Sequence, residues 1–195
     1  MLRYGRSGKL QWMSVFALWL TAAPAAVAAD IYKVDATHSA VLFRVKHLNV
    51  SYFYGRFNDV SGSFSFDKES PENSALDITV KADSLDTNSK DRDKHMKGAE
   101  FFDVEQHPRM TFKSRGAKKT VENTFEVEGD LTFHGTTRPV TVNVEFVGEG
   151  DTFLGHRAGF HTTLTILRAD YGMDAMLAGL SDEVQLTISI EGVKK

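Results

Sequence analysis

Polar and apolar residues alternate with period two through most of this chain, which marks strands with one wet face and one dry one. Val41, Phe43, Val45 and His47 oppose Leu42, Arg44, Lys46 and Leu48. Gly62, Phe64 and Phe66 oppose Ser61, Ser63 and Ser65, and Leu76, Ile78, Val80 and Ala82 oppose Asp77, Thr79, Lys81 and Asp83. The pattern resumes with Met110, Phe112 and Ser114, then with the row Phe125, Val127, Gly129, Leu131 and Phe133. It ends with Val140 to Phe146, Phe160 to Arg168 and Val184 to Ile190, each read at every second residue. Such one-sided strands predict antiparallel pairing rather than a parallel sheet covered on both faces.

Turn signals separate the runs at hairpin-like spacing: Lys68 to Asn73 around Pro71, Gly135 to Pro139, and Gly148 to Asp151. Long strands in this number form a sandwich or close into a barrel, and their length favours the barrel. The prediction is an all-β fold: an eight-stranded antiparallel barrel with one short helix between strands. The helix falls after Asn88 or Ser89, either of which can cap it, and Gly98 ends it. Met96, Ala99, Phe101 and Phe102 then cluster ahead of Pro108. They either plug one end of the barrel or border a space inside it.

The first 28 residues differ from the rest. Arg3, Arg6 and Lys9 precede the apolar stretch Leu10 to Leu20, and Ala26-Val27-Ala28 is a small-x-small cleavage pattern. A membrane anchor is the competing reading, but Gln11, Ser14, Thr21 and Pro24 dilute a stretch that must supply about 20 mostly apolar residues to span. Residues 1–28 are therefore expected to be a cleaved signal peptide and residues 29–195 a single barrel domain. Losing three of the 23 basic residues leaves 20 against 26 acidic ones, a formal −6. That balance argues against nucleic acid and against anionic membrane surfaces as partners. Cysteine is absent, so an exported chain relies on its core, and the expected location is the periplasm or the outside of a bacterium.

Candidate chemistry is sparse. No G-x-S-x-G elbow or thiol is present, and His38 and Ser39 are strand neighbours whose side chains diverge. None of the seven histidines shares a face at i,i+2 or i,i+4 spacing with another. Asp83 and Asp86 sit in a stretch whose side chains favour turns and caps. Two polar residues end apolar rows: His47 after Val45, and Arg168 after Ile166. A guanidinium on an apolar face requires a partner. That partner is either structural, from Asp170, another carboxylate or main-chain carbonyls, or the polar head of a ligand. The aromatic residues exceed what one packed sheet face carries, and an eight-stranded barrel holds either packed side chains or one small ligand. Phe43, Phe57, Phe64, Phe133 and Phe160 are candidates for lining such a space, together with Met96.

Several ordered pieces resemble one family. They include Asp35-Ala-Thr-His38-Ser39, Phe43-x-Val-x-His47, Tyr54-Gly55-x-Phe57, Ser84-Leu-Asp86-Thr87 and Arg92-Asp-x-His95-Met96. Phe101-Phe102-Asp103-Val104, the run from Gly129 to Val140, and Arg168-x-Asp170-Tyr-Gly172 continue the series. From Ile31 to Val193 the chain resembles the YceI family of bacterial proteins. The resemblance implies a lipocalin-like barrel and a periplasmic carrier of a polyisoprenoid, such as a prenyl pyrophosphate or ubiquinone, or of a similar amphiphile. It implies no enzymatic step and no required cofactor beyond that lipid. His47, Phe101, Phe102, Phe112 and Arg168 fall on its motifs and become cavity candidates, with Tyr171 to Met176 near a mouth. A lipid amide or ester hydrolase and a packed stress or structural protein remain the alternatives. Stable membrane insertion after cleavage is not expected, and a homodimer stays open.

Overall fold

The computed structural model describes residues 29–195; the expected signal peptide lies outside them. Eleven strands run in chain order: β1 (Asp30–Val34), β2 (Ala40–His47), β3 (Ser51–Phe57), β4 (Val60–Phe66), β5 (Ala75–Lys81), β6 (Leu85–Asp86), β7 (Arg109–Val121), β8 (Thr124–Phe133), β9 (Thr136–Thr152), β10 (Gly155–Leu167) and β11 (Leu180–Lys194). They make eight staves. β1 and β2 lie end to end along β11, with Val34 opposite Gly192 and Ala40 opposite Ser189. β3 and β4 run back along β2 and β1, and β5 with β6 forms the next stave. Every pairing is antiparallel, and the first stave pairs with the last, so the sheet is a closed eight-stranded barrel. Closure removes the exposed edges that an open sheet would present.

Two connections are not hairpins. Residues between β6 and β7 carry α1 (Lys90–Lys97), capped by Ser89, whose Oγ accepts from the Arg92 amide at 3.5 Å, and ended by Gly98. Asp91 and Asp93 stand in its first turn and Lys94, His95 and Lys97 in its last, the arrangement that the helix dipole favours. The β10–β11 link holds a single 3-10 turn, Arg168–Tyr171. Both links lie at the same barrel end as the β2–β3 and β8–β9 hairpins, since β5 and β10 end there and β7 and β11 begin there.

The alternating rows point inward as the period requires. Val41, Phe43, Val45, Ile78, Val80, Phe125, Val127, Phe133, Val142, Val144, Ile166 and Ile190 are buried. Tyr32 and Phe64 stack at 4.9 Å between ring centres across the β1–β4 pair. Burial, with Glu149 nearby, pushes the Tyr32 hydroxyl up to about 12. Asp86 serves the chain turn, where its carboxylate accepts from the Asn88 amide at 2.9 Å, and Asp83 lies in the 3-10 turn Ala82–Ser84.

The break between β1 and β2 is fastened by charge. Arg157 on β10 donates from Nη1 to Asp35 at 2.7 Å and also pairs with Glu191 on β11. His38 Nδ1 lies 2.9 Å from the same Asp35 carboxylate, and the Asp35 amide donates to the Glu191 carbonyl at 2.8 Å. The Arg157 bond first, and His38 second, hold the Asp35 carboxyl well below the usual carboxylate range. A depressed folded value stabilises fully above the unfolded value of about 3.9, and the contribution fades as pH falls through the folded one. Asp35→Asn should therefore cost about 1–3 kcal/mol at pH 7, with the difference from wild type narrowing below about pH 4. Urea midpoints measured across that range check this, and a constant difference at every pH would contradict it.

Candidate functional site

The barrel interior is not filled. Two cavities of about 150 and 130 Å³ lie along its axis. The first, toward the β9–β10 hairpin, is lined by Phe64, Phe66, Leu76, Phe125, Val127, Val142, Val144, Phe160 and Leu164. The second, toward α1, is lined by Val41, Phe43, Val45, Phe57, Met96, Phe101, Phe102, Phe133, Ile166 and Met173. A cavity of roughly 150 Å³ walled by Leu, Ile and Phe stays dry and accepts a group about the size of benzene.

Ile78, Phe112, Leu131, Leu186 and Ile188 border both cavities. Phe112 can lie between them because Gly129 on the paired strand has no side chain: a Cβ there would stand 2.5 Å from the Phe112 Cζ. The interior thus holds two apolar cavities with a shared wall to which the Phe112 ring belongs. Gly55 plays the same part for Phe43, whose ring occupies the space a Cβ would need.

The segment around α1 closes the second cavity from inside the barrel. Met96, Phe101 and Phe102 are buried, and Phe102 meets Phe57 and Phe133 edge to face at 5.5 and 5.8 Å. Arg92 anchors the helix, donating from Nε to Thr87 Oγ1 at 2.8 Å, and Asp93 accepts from the same hydroxyl at 2.6 Å. These aromatic side chains therefore both stop the barrel end and wall the space within.

Arg168 lies at the base of the second cavity with 3% of its surface exposed. It donates from Nε to Ser181, from Nη1 to Met173 and from Nη2 to Leu180, all main-chain carbonyls, at 3.0, 3.0 and 3.1 Å. Of the partners open to it, main-chain carbonyls are the ones it takes. Desolvation lowers its pKa, against the pull of Asp182 and Asp174.

Of the sequence candidates, Phe43, Phe57, Met96, Phe101, Phe102, Phe133 and Arg168 wall the second cavity, Phe64 and Phe160 the first, and Phe112 both. His47 is corrected as a lining residue of these cavities: it is the exposed last residue of β2, still paired with Ser51 and Leu180 at the barrel rim beyond the cavity wall, and the buried row ends at Val45. Tyr54 of the Tyr54-Gly55-x-Phe57 motif faces out with 62% exposed, as its alternation with Phe53 requires. Sequence reading missed Gly129 and Ile78, whose importance depends on strand register. His38 and Ser39 do not form a pair: His38 joins Asp35, while the Ser39 hydroxyl accepts from the Glu191 amide at 3.0 Å. Asp35, His38 and Glu191 offer ligand atoms within 4.8 Å of one another, but the Arg157 guanidinium already pairs with both carboxylates.

A closed up-and-down barrel with a carbon-walled interior is the lipocalin-like class of fold. Within that class the chain belongs to the YceI-like domain family, whose model matches residues 32–192. A UPF0312 protein of Azotobacter vinelandii is 42% identical over 179 residues, covering 90% of this chain and 93% of that one. The crystal structure of Burkholderia cenocepacia BcnA superimposes with a TM-score of 0.75 at 25% identity, covering 81% of this chain and 98% of BcnA. A polyisoprenoid binding domain from Saccharophagus degradans, implicated in plant cell wall breakdown, shares the fold with a TM-score of 0.66 at 17% identity over 84% of this chain and 98% of its own.

Replacing Arg168 by Met removes the donors for three carbonyls while keeping much of the volume. It should cost about 2–5 kcal/mol, because buried acceptors are left unpaired. Chemical denaturation measures this, and a loss below about 1 kcal/mol would show that the carbonyls find other donors.

Proposed function

We propose that this protein is a carrier that holds the apolar chain of an amphiphile, of polyisoprenoid or similar kind, inside its barrel. The observation that carries this reading is the pair of adjoining cavities, since packed interiors rarely hold voids larger than a water molecule. Their walls are carbon-rich and offer no charged group except Arg168. Each buried CH₂ of a chain contributes roughly 0.8 kcal/mol before the costs of association, so affinity can arise from the tail alone. The Saccharophagus domain, described as polyisoprenoid binding, supports the same reading by its shared fold. A prenyl pyrophosphate or a ubiquinone are the ligand types in view. Three of the five guanidinium N–H bonds of Arg168 are used, which leaves two that can take a head-group oxygen. Binding, rather than catalysis, fits this lining, and a signal peptide in residues 1–28 would direct the carrier to the periplasm before being removed.

The partition sets what can bind. Each chamber alone suits a group of only a few carbons, so a long chain must thread both and turn Phe112 aside. Phe112→Ala joins the chambers; it should lower stability by about 3 kcal/mol and strengthen binding of long prenyl chains relative to short ones. Phe133→Trp should instead fill the second chamber and weaken binding, with a stability change of about 1–3 kcal/mol. Solvent extraction of the purified protein followed by mass spectrometry tests the carrier directly, with stoichiometric lipid expected. Absence of lipid, with no uptake of ubiquinone on incubation, would contradict it.

A further inference from the structure

The outer surface of the barrel is mostly polar, but the tip of the β2–β3 hairpin is not. Leu48 and Val50 are 59% and 84% exposed, and Tyr52 and Tyr54 continue the outward face of β3. The Leu48 amide donates to the Gly179 carbonyl at 2.7 Å, which brings Met176 and Leu177, also exposed, beside the tip. The result is an apolar ridge at the end of the barrel nearest the second chamber.

The backbone adds an independent observation. Leu48 and Asn49 both hold positive φ, 50° and 56°, at the centre of a turn that the Val50 amide closes on the His47 carbonyl at 3.0 Å, within a three-residue loop between the paired His47 and Ser51. Asn or Gly suits the first of these positions, whereas leucine is strained there. A residue that folds less well, and whose apolar side chain then faces water, indicates a use outside folding.

Charge says what covers the ridge. The described part of the chain is acidic, yet residues 40–57 contain Arg44, Lys46 and Arg56 and no Asp or Glu. Arg44 lies over the Tyr52 ring at 4.4 Å, with Lys46 at 5.9 Å. Asp86, opposite Arg56, and Glu183, next to Val184 of β11, mark the two edges of this basic strip; on the neighbouring loop Asp174 and Asp182 flank the stretch 176–180, and the buried Arg168 guanidinium opposes both in charge. Aliphatic side chains at a tip, tyrosines behind them and cations behind those follow the layering of a bilayer from acyl region to anionic head groups. The other exposed aromatic, Phe153 at 97%, sits at the opposite barrel end near Glu149 and Asp151, which an anionic surface would repel.

We propose that the β2–β3 hairpin tip, with Met176 and Leu177, docks reversibly on the surface of a lipid bilayer bearing anionic head groups. The net charge of residues 29–195 argues against such a surface, but it averages over a strip whose local sign is opposite. The proposal goes beyond the carrier reading and stands whatever the chambers hold; its consequence is that the second chamber, rather than the first, faces the membrane.

The chain 29–195 contains all eight staves of the closed ring and has no tryptophan, since both lie at positions 12 and 19. A single Trp in place of Val50 or Phe153 thus reports on one end of the barrel at a time. With vesicles of phosphatidylcholine and phosphatidylglycerol at low salt, the V50W emission should shift to shorter wavelength and the F153W emission should not. Sedimentation with the same vesicles should fall more than about tenfold for Leu48→Asp with Val50→Asp, and by a similar factor for Arg44→Gln with Lys46→Gln. It should weaken as salt rises, and circular dichroism confirms that each variant folds. The proposal is overturned if wild type does not sediment with these vesicles, if the shift appears at Phe153 and not at Val50, or if the tip variants only abolish a concentration-dependent dimer.

Discussion

Closure of the barrel is the constraint on which everything else rests. One strand, β11, carries β1 on its last residues and β2 on its first, so the two halves of the opening stave must break and realign between Val34 and Ala40. The Arg157 guanidinium, shared by Asp35 and Glu191, ties β10, β11 and this break together. These charged groups are partly shielded, so their attraction is screened less than that of a surface pair. Without a closed ring the inward rows would have no enclosed space to face.

Given closure, the interior follows from side-chain size. Large rings occupy the space that glycines leave, Phe43 directly opposite Gly55 and Phe112 diagonally over Gly129, and the remaining volume collects on either side of Phe112. The α1 segment shuts one end with Phe101 and Phe102. Its first turn is itself held by the Arg92–Thr87–Asp93 bonds. Arg168 stitches the β10–β11 link across the base of the same chamber with carbonyl bonds. A charged group is thus buried for structure and still borders an apolar space, a combination that a polar head group could use.

Much of this was legible in the chain because period-two alternation is a local signal. The eight rows and the Phe residues within them come from spacing, the helix between Ser89 and Gly98 from its cap and stop residues, and Phe101 and Phe102 from the apolar cluster ahead of Pro108 and the family motif. Long-range register was not legible. Nothing local says that the row of β2 ends at Val45 rather than His47, since the turn that lifts His47 to the rim depends on the left-handed Leu48 and Asn49. The role of Phe112 as partition requires knowing that its ring leans diagonally over Gly129, which the register places opposite Ser114, and the partners of Arg168 are carbonyls, which carry no sequence signature. Whole-chain charge, likewise, hid a basic strip on one hairpin.

The central claim is that the two chambers act as one site for a chain. A crystal structure of the protein after incubation with a ubiquinone tests it most directly. The account predicts continuous density through both chambers, with the Phe112 ring rotated away from Gly129 and the head group at the Arg168 end. Empty chambers with Phe112 unmoved, or a ligand held only on the outer surface, would contradict it.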